Sequence, residues 1–180
     1  RVRLSPQIGF FSEERLQSAD GSTALTHVFG VNLAPGPPWT FGMTQAIQAV
    51  TTAGFDWVRL EVPWADIEPE RQGTFEWQQL DALMERLSAA NLKVLMNISD
   101  APDWSRASGC SLEVEGPPAN PLDLAVMMTA LVDRYRGKLH AVEVWSGQNE
   151  AYEWGYEPLD ASRYTQLLCA VYSAVKAVDP

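Results

Sequence analysis

From residue 27 onward, short apolar runs alternate with longer stretches in which apolar positions recur every three or four residues. Period two, or a continuous short run, marks a strand, and period 3.6 marks a helix with one buried stripe. The runs at 28–32, 57–62, 94–98 and 141–145 predict four strands. Phe41–Ala53 reads as a helix stopped by Gly54. A second helix starts near Phe75 and puts Trp77, Leu80, Leu83, Met84 and Leu87 on one face. Asn120-Pro121 supplies a cap and a first-turn proline for a third, which carries Leu124, Met127, Met128, Leu131 and Tyr135. A fourth, capped by Asp160, repeats Tyr164, Leu167, Leu168, Val171, Tyr172, Val175 and Val178. Residues 1–26 show no sustained period and contain the turn-like Asp20-Gly21-Ser22, so they read as a leader or a cover for the body formed by 27–180.

Four strand–helix units with nearly continuous apolar strands imply an α/β fold with a parallel sheet and helices packed outside it. An open doubly wound sheet ordinarily carries a glycine-rich phosphate loop after its first strand, and here Pro35-Gly36-Pro37-Pro38 stands in that place. A (β/α)8 TIM-type barrel puts its variable loops at the C-terminal ends of its strands, where this chain gathers Trp64, Asp100, Trp104 and residues 145–150. The barrel is therefore expected, as its first four units. A complete one takes about 250 residues. With Arg1 at its start and Asp179-Pro180 directly after a helical pattern, the sequence is expected to be part of something longer.

Composition narrows the function classes. Hydrophobic residues make up 46% of the 180, enough for a sizeable core. Thirteen Lys and Arg against twenty-three Asp and Glu give a formal charge of −10, and the longest basic cluster is Arg134/Arg136/Lys138. Nucleic acid is excluded as a partner, because binding it requires phosphate neutralisation. No apolar run reaches the roughly 20 residues of a membrane span. Cys110 and Cys169 have no metal spacing and read as free thiols. His27 and His140 fall at strand starts, away from the expected chemistry. No metal site or cofactor is indicated.

Three segments read together carry a resemblance. Trp57-Val58-Arg59-Leu60-Glu61-Val62-Pro63-Trp64, continuing to Ile67-Glu68-Pro69 and Gly73-Thr74-Phe75-Glu76-Trp77, resembles the second-strand signature of clan A glycoside hydrolases, the xylosidase- and cellulase-like barrels. Val94–Trp104 is similar to their third strand and its loop. Val142-Glu143-Val144-Trp145, followed by Gln148-Asn149 and Glu153-Trp154, resembles their fourth strand. The resemblance spans 27–180 and implies carbohydrate as ligand or substrate, with an extracellular or cell-surface setting. Where the family carries Asn-Glu after the strand-four tryptophan, with the glutamate as general acid/base, this chain has Ser146-Gly147. A shifted alignment, with a three-residue insertion after Trp145, would bring Asn149-Glu150 into the motif.

Glycoside hydrolysis needs one carboxylic acid to protonate the leaving oxygen and a second carboxylate as nucleophile or base, roughly 5–5.5 Å apart in retaining enzymes. Glycine does neither, and the resemblance puts the second carboxylate on strand seven, beyond residue 180. The expected function is thus a glycosidase-like barrel portion that is catalytically incomplete by itself. The alternative is a non-catalytic carbohydrate-binding or structural subunit. Its partners are carbohydrate and the remaining half of the barrel, or another protein chain. On this reading Gly147→Glu raises the rate of a completed barrel, whereas under the shifted alignment Glu150→Gln abolishes it.

The family's strand-two arginine supports the nucleophile, and Arg59 holds that position. Parity also lets Arg59 meet Glu143 as a buried pair inside the barrel. Trp64, Trp104, Trp145 and Trp154 offer indole faces for sugar stacking or act as packing anchors. Asn97, Gln148 and Asn149 are candidates to hydrogen-bond hydroxyls. Glu150, Glu153 and Glu157 read as a solvated acidic loop.

Overall fold

A computed structural model describes residues 14–17, 23–26, 29–33 and 42–180. His27 and the proline-rich turn at 35–38 lie outside the described residues. Within the stretch expected to be irregular, β1 (Glu14–Gln17) and β2 (Thr23–Thr26) pair antiparallel, with Glu14 opposite Thr26 and Gln17 opposite Thr23. Each holds a single leucine among mostly polar neighbours, so no apolar run marks it in the sequence.

The body is built from β3 (Gly30–Leu33), α1 (Met43–Thr52), β4 (Trp57–Pro63), the single-turn α2 (Trp64–Ile67), α3 (Gln78–Ala89), β5 (Lys93–Ser99), α4 (Pro121–Arg134), β6 (Ala141–Val144) and α5 (Ala161–Val178). Its four strands run parallel in the order β3-β4-β5-β6, so each crossover moves one place along the sheet. Every predicted strand is present, and α3 begins three residues after the expected Phe75. Asn120 caps α4 by accepting from the Leu122 N–H at 3.1 Å, with Pro121 in the first turn. Asp160 accepts from the N–H groups of Ser162 and Arg163 at the start of α5.

Alternation along the strands decides where the core lies. Val58, Leu60 and Val62 of β4 are completely buried, as are Met96 and Ile98 of β5. They share one apolar cluster with Leu80, Leu83, Met84 and Leu87 of α3 and with Leu124, Met127, Met128 and Leu131 of α4. Arg59 and Glu61, the residues between, are only partly buried and point to the other side of the sheet. Cross-strand register puts Arg59, Leu95 and Ala141 in one row and Glu61, Asn97 and Glu143 in the next, so a polar face lies opposite the apolar one.

The stripe predicted for α5 is only half covered. Leu167 and Val171 are buried, but Leu168 and Tyr172 are exposed. The physical reason is position: α5 follows the edge strand β6, and among the described residues its neighbouring helix is α4.

Candidate functional site

The polar face leads to the C-terminal ends of β4, β5 and β6. Arg59 donates through Nε to Glu143 Oε2 at 2.6 Å and through Nη2 to Oε1 at 2.9 Å, a two-point pairing that fixes both side chains. The contact expected from parity is made. This hydrogen bond holds the guanidinium above its ordinary pKa despite burial, and the charges of Glu143 and Glu61 add to the effect. Arg59 Nη2 also reaches Ser146 Oγ at 3.5 Å. Asn97 lies between Glu61 and Glu143 in the register, is fully buried, and has no hydrogen-bond partner for either amide atom. Burying an amide unpaired costs about 1–3 kcal/mol by mutational measures, so the position is stressed unless something occupies it.

Backbone strain marks the same ends. Asp100, directly after β5, has φ of 51°, and Trp145, directly after β6, has φ of 68°. Left-handed backbone at a non-glycine residue costs roughly 1–3 kcal/mol and concentrates at functional sites. The strain at Trp145 turns the chain inward. Its indole is buried, donates from Nε1 to the Glu153 carbonyl at 3.2 Å, and meets Trp154 edge to face with centroids 5.8 Å apart. Trp64 is likewise buried, donating to Glu68 Oε2 at 2.7 Å and standing edge-on to Trp104 at 5.6 Å. Trp64, Trp145 and Trp154 therefore act as packing anchors, their faces closed by protein. Trp104 stays half-buried, and its Nε1 donates to the Glu68 carbonyl at 2.8 Å.

Gln148 is partly exposed, and Asn149 and Glu150 are exposed. The loop read from sequence as uniformly solvated is not so. It folds back through hydrogen bonds from Glu150 N–H to the Gly147 carbonyl at 2.7 Å and from Trp154 N–H to the Glu150 carbonyl at 3.1 Å. This return carries Glu157 into an ion pair with Arg163 and lays the Glu153 side chain over Gly147. Gly147 has φ of 60°, and a Cβ there would meet Glu153 Cγ at 2.5 Å. Glu153 thus fills the space that a side chain at 147 would need.

Glu153 has a partner that sequence reasoning missed. Glu115, in the long loop after β5, hydrogen-bonds its carboxyl group, and burial together with the charges of Asp100, Glu153 and Glu61 pushes Glu115 up to about 7. Burial and the Glu61 charge raise Glu153 as well, against the opposing hydrogen bond from Glu115. Asp100 is pushed up to about 6, mainly by burial, with Arg106 opposing and Asp66, Asp103 and Glu153 adding to the rise. Arg106 donates to the Val114 carbonyl at 2.6 Å, while its Nε and Nη2 are buried without a partner. The four carboxylates Glu61, Asp100, Glu115 and Glu153 come from three different strand ends or loops, which is why no sequence motif announced them. Among the described residues no group of three or more His, Cys, Asp or Glu side chains is placed to hold a metal ion. At the opposite end His140 accepts from the Val94 N–H at 3.2 Å. Cys110 and Cys169 are unpaired, and no helix among the described residues is long and apolar enough to cross a membrane.

The raised carboxyls set a pH dependence. Folded Asp100 and Glu115 keep their protons to about 6 and about 7, while their ordinary values are 3.8 and 4.5. Between those limits the folded state binds more protons than the unfolded one, so stability falls as pH rises. Glu68 and Glu153, also raised by burial, act in the same direction. His140, lowered by burial and by Lys93, opposes them with one group. The melting temperature is expected to be higher at pH 5 than at pH 8, with a smaller difference in Glu115→Gln. A melting temperature that climbs from pH 5 to pH 8 would refute this.

Comparison with known proteins follows the geometry. A family model described as beta-galactosidase matches residues 39–107. A family 39 glycoside hydrolase from Bacteroides cellulosilyticus WH2 superposes with a TM-score of 0.64 at 21% identity, over 84% of this chain and 29% of the other. An exo-beta-1,4-mannosidase from Opitutaceae bacterium strain TAV5 gives 0.65 at 16% identity, over 94% of this chain and 33% of the other. The catalytic domain of the major endoglucanase from Xanthomonas campestris pv. campestris gives 0.54 at 18%, over 92% and 53%. The chain thus spans between about a third and about half of these structures. No curated protein matches it. At these identities the likeness is one of fold: the four parallel strand–helix units match the first half of the barrel in these glycoside-hydrolase structures.

Proposed function

We propose that this chain is a carbohydrate-directed portion of a glycosidase-like barrel and is catalytically incomplete by itself. The observation that carries the reading is Gly147, in the place where the resemblance puts an acid/base glutamate, with the Glu153 side chain lying over it. Sugar contacts are assigned to the strand-end face: Arg59 held by Glu143, the unpaired amide of Asn97, the half-buried Trp104, and Gln148 and Asn149 on the loop after β6. Trp64 and Trp145, buried as they are, support that face from beneath. The other half of the barrel, supplied by further chain or by another protein, would cover the edge strands β3 and β6, since unpaired edges template association. Residues 1–26 are assigned a covering role outside the barrel units.

A general acid is worth about 10²–10⁴-fold, and without a second carboxylate no double-displacement route exists. The chain is therefore expected to show no turnover on aryl glycosides or oligosaccharides, measured by released phenol and by reducing ends. The second reading, a non-catalytic carbohydrate-binding subunit, is favoured by the same glycine. It differs in one outcome: adding the missing barrel half creates turnover under the first reading and leaves only binding under the second. Robust hydrolysis by the 180-residue chain would defeat both.

A further inference from the structure

The two edges of the sheet carry surfaces of opposite relief. At the β6 edge a groove of about 290 Å³ runs between α5 and β6, lined by Leu139, Val142, Val144, Leu168, Tyr172 and Val175. Leu168 is 40% exposed and Tyr172 63%, so these two residues, one turn apart, stand out from α5 as apolar knobs. At the β3 edge α1 carries a shallow hollow instead, lined by Gln45, Gln48, Ala49, Thr52 and Ala53. Ala49 and Ala53 are also one turn apart, and both are exposed. Phe29, just before β3, is 45% exposed and shares the parity of Val31 and Leu33, which pair with the helix-facing Val58 and Leu60.

The flanks are of opposite hand. At about 100° per residue, Leu168 and Tyr172 lie on one side of the buried Leu167 and Val171, whereas Ala49 and Ala53 lie on the other side of the buried Met43, Ala46 and Val50. In a ring of parallel strand–helix units each helix meets its predecessor on one flank and its successor on the other. α4, the predecessor of α5, is the helix that packs on it, so Leu168 and Tyr172 look toward a successor. Ala49 and Ala53 look toward a predecessor.

Charge is distributed to match. A formal charge of −10 opposes self-association in general. Yet α1 contains no charged residue and α5 only Arg163 and Lys176, so the excess of acid is kept off both outer helices. Arg136, Lys176 and Asp179 rim the groove without repeating one sign. Four parallel strands that match the first half of a closed eight-stranded barrel become eight when turned by half a revolution about the barrel axis, with every strand direction preserved. We propose that two copies of this chain close such a barrel about a twofold axis. The β6 edge of each copy pairs with the β3 edge of the other, and Leu168 and Tyr172 of α5 seat against Ala49 and Ala53 of the second copy's α1. Phe29 and Val31 of the second copy enter the groove beside Val142 and Val144. The inference rests on the half-barrel reading above and names what supplies the other half.

The test is sedimentation velocity of the 180-residue chain over a range of concentrations, with reductant present because Cys169 is exposed and unpaired. A dimer is expected that does not grow into larger species. Tyr172→Glu and Ala49→Arg should each weaken it at least about thirtyfold, because each puts a charge into the apolar seam. Both positions are exposed, so circular dichroism should show the parental helix content in each variant. Ser173→Glu, which adds the same charge to an exposed position of α5 away from the two knobs, should leave the dimer intact. An equal mixture of Tyr172→Glu and Ala49→Arg should recover the dimer. In the mixed pair one seam is unaltered, and the other sets the introduced carboxylate against the introduced guanidinium. A monomer overturns the inference, whether residues 1–26 or a different chain cover the groove, and it leaves the carbohydrate reading to the turnover assay. A dimer lost in Tyr172→Glu but indifferent to Ala49→Arg means an α5-to-α5 contact and overturns it as well. Polymers that lengthen with concentration, or a mixture that stays monomeric, count equally against a closed twofold barrel.

Discussion

Glu143→Gln is expected to cost about 3 kcal/mol of stability, and Arg59→Met about 2 kcal/mol. Removing one member of a buried ion pair leaves an uncompensated charge, which costs about 3–5 kcal/mol when burial is complete. The two members differ in exposure: the Arg59 side chain is 14% exposed and that of Glu143 is 37% exposed. An orphaned Arg59 is thus poorly hydrated, while an orphaned Glu143 recovers part of its water, which sets the order of the two effects. For a domain of this size, each kcal/mol moves the melting temperature by about 2–4 °C. The double variant Arg59→Met/Glu143→Met should be more stable than either single one, because no charge is left buried. Urea denaturation of the three variants checks this. Single-variant losses below about 0.5 kcal/mol would show that the pair is hydrated and energetically idle. The consequence for function is positional, since Arg59 also reaches Ser146, and loss of the pair releases the chain just before Gly147.

This pair was legible in the sequence because strand parity and parallel register are regular. Once 57–62 and 141–145 are strands, Arg59 and Glu143 share a face, and their meeting across the strand between them follows from the way alternate strands of a barrel share layers. The four helices were legible for the same reason, and Leu80, Leu83, Met84 and Leu87 of the α3 stripe are buried as their spacing requires, while Trp77 precedes the helix and is half-buried. Period carries no information about loops. Glu115 and Glu153 meet only because the segment after β5 and the one after β6 both fold back over the strand ends, through contacts such as Trp145 on Trp154. The tryptophans illustrate the limit from another side. Sequence gave Trp64, Trp104, Trp145 and Trp154 the same two meanings, ligand or anchor. Burial separates them, leaving only Trp104 partly open. The short α2 was missed because four residues after Pro63 complete one turn and show no stripe.

Gly147→Glu, which restores on paper the glutamate of the resemblance, is expected to destabilise the chain by about 2–5 kcal/mol and to bring no activity. The gain expected from sequence concerns a completed barrel; the cost to this chain is local. The backbone at 147 is left-handed, φ 60°, which costs an L-residue roughly 1–2 kcal/mol. Its Cβ would also lie 2.5 Å from Glu153 Cγ and 3.0 Å from Glu153 Cβ, so the tip of a flexible side chain is not all that must move. Overpacking of this kind adds about 1–3 kcal/mol. The two costs separate in a double-mutant cycle. In a Glu153→Ala background the overlap with Cγ is gone, and introducing glutamate at 147 should cost only the backbone share, about 1–2 kcal/mol. Urea midpoints of the four proteins in the cycle measure the separation, and an aryl glycoside assay of the same proteins measures turnover. Parental stability in Gly147→Glu together with new turnover would mean that the acid's place is open after all and that Glu153 lies elsewhere.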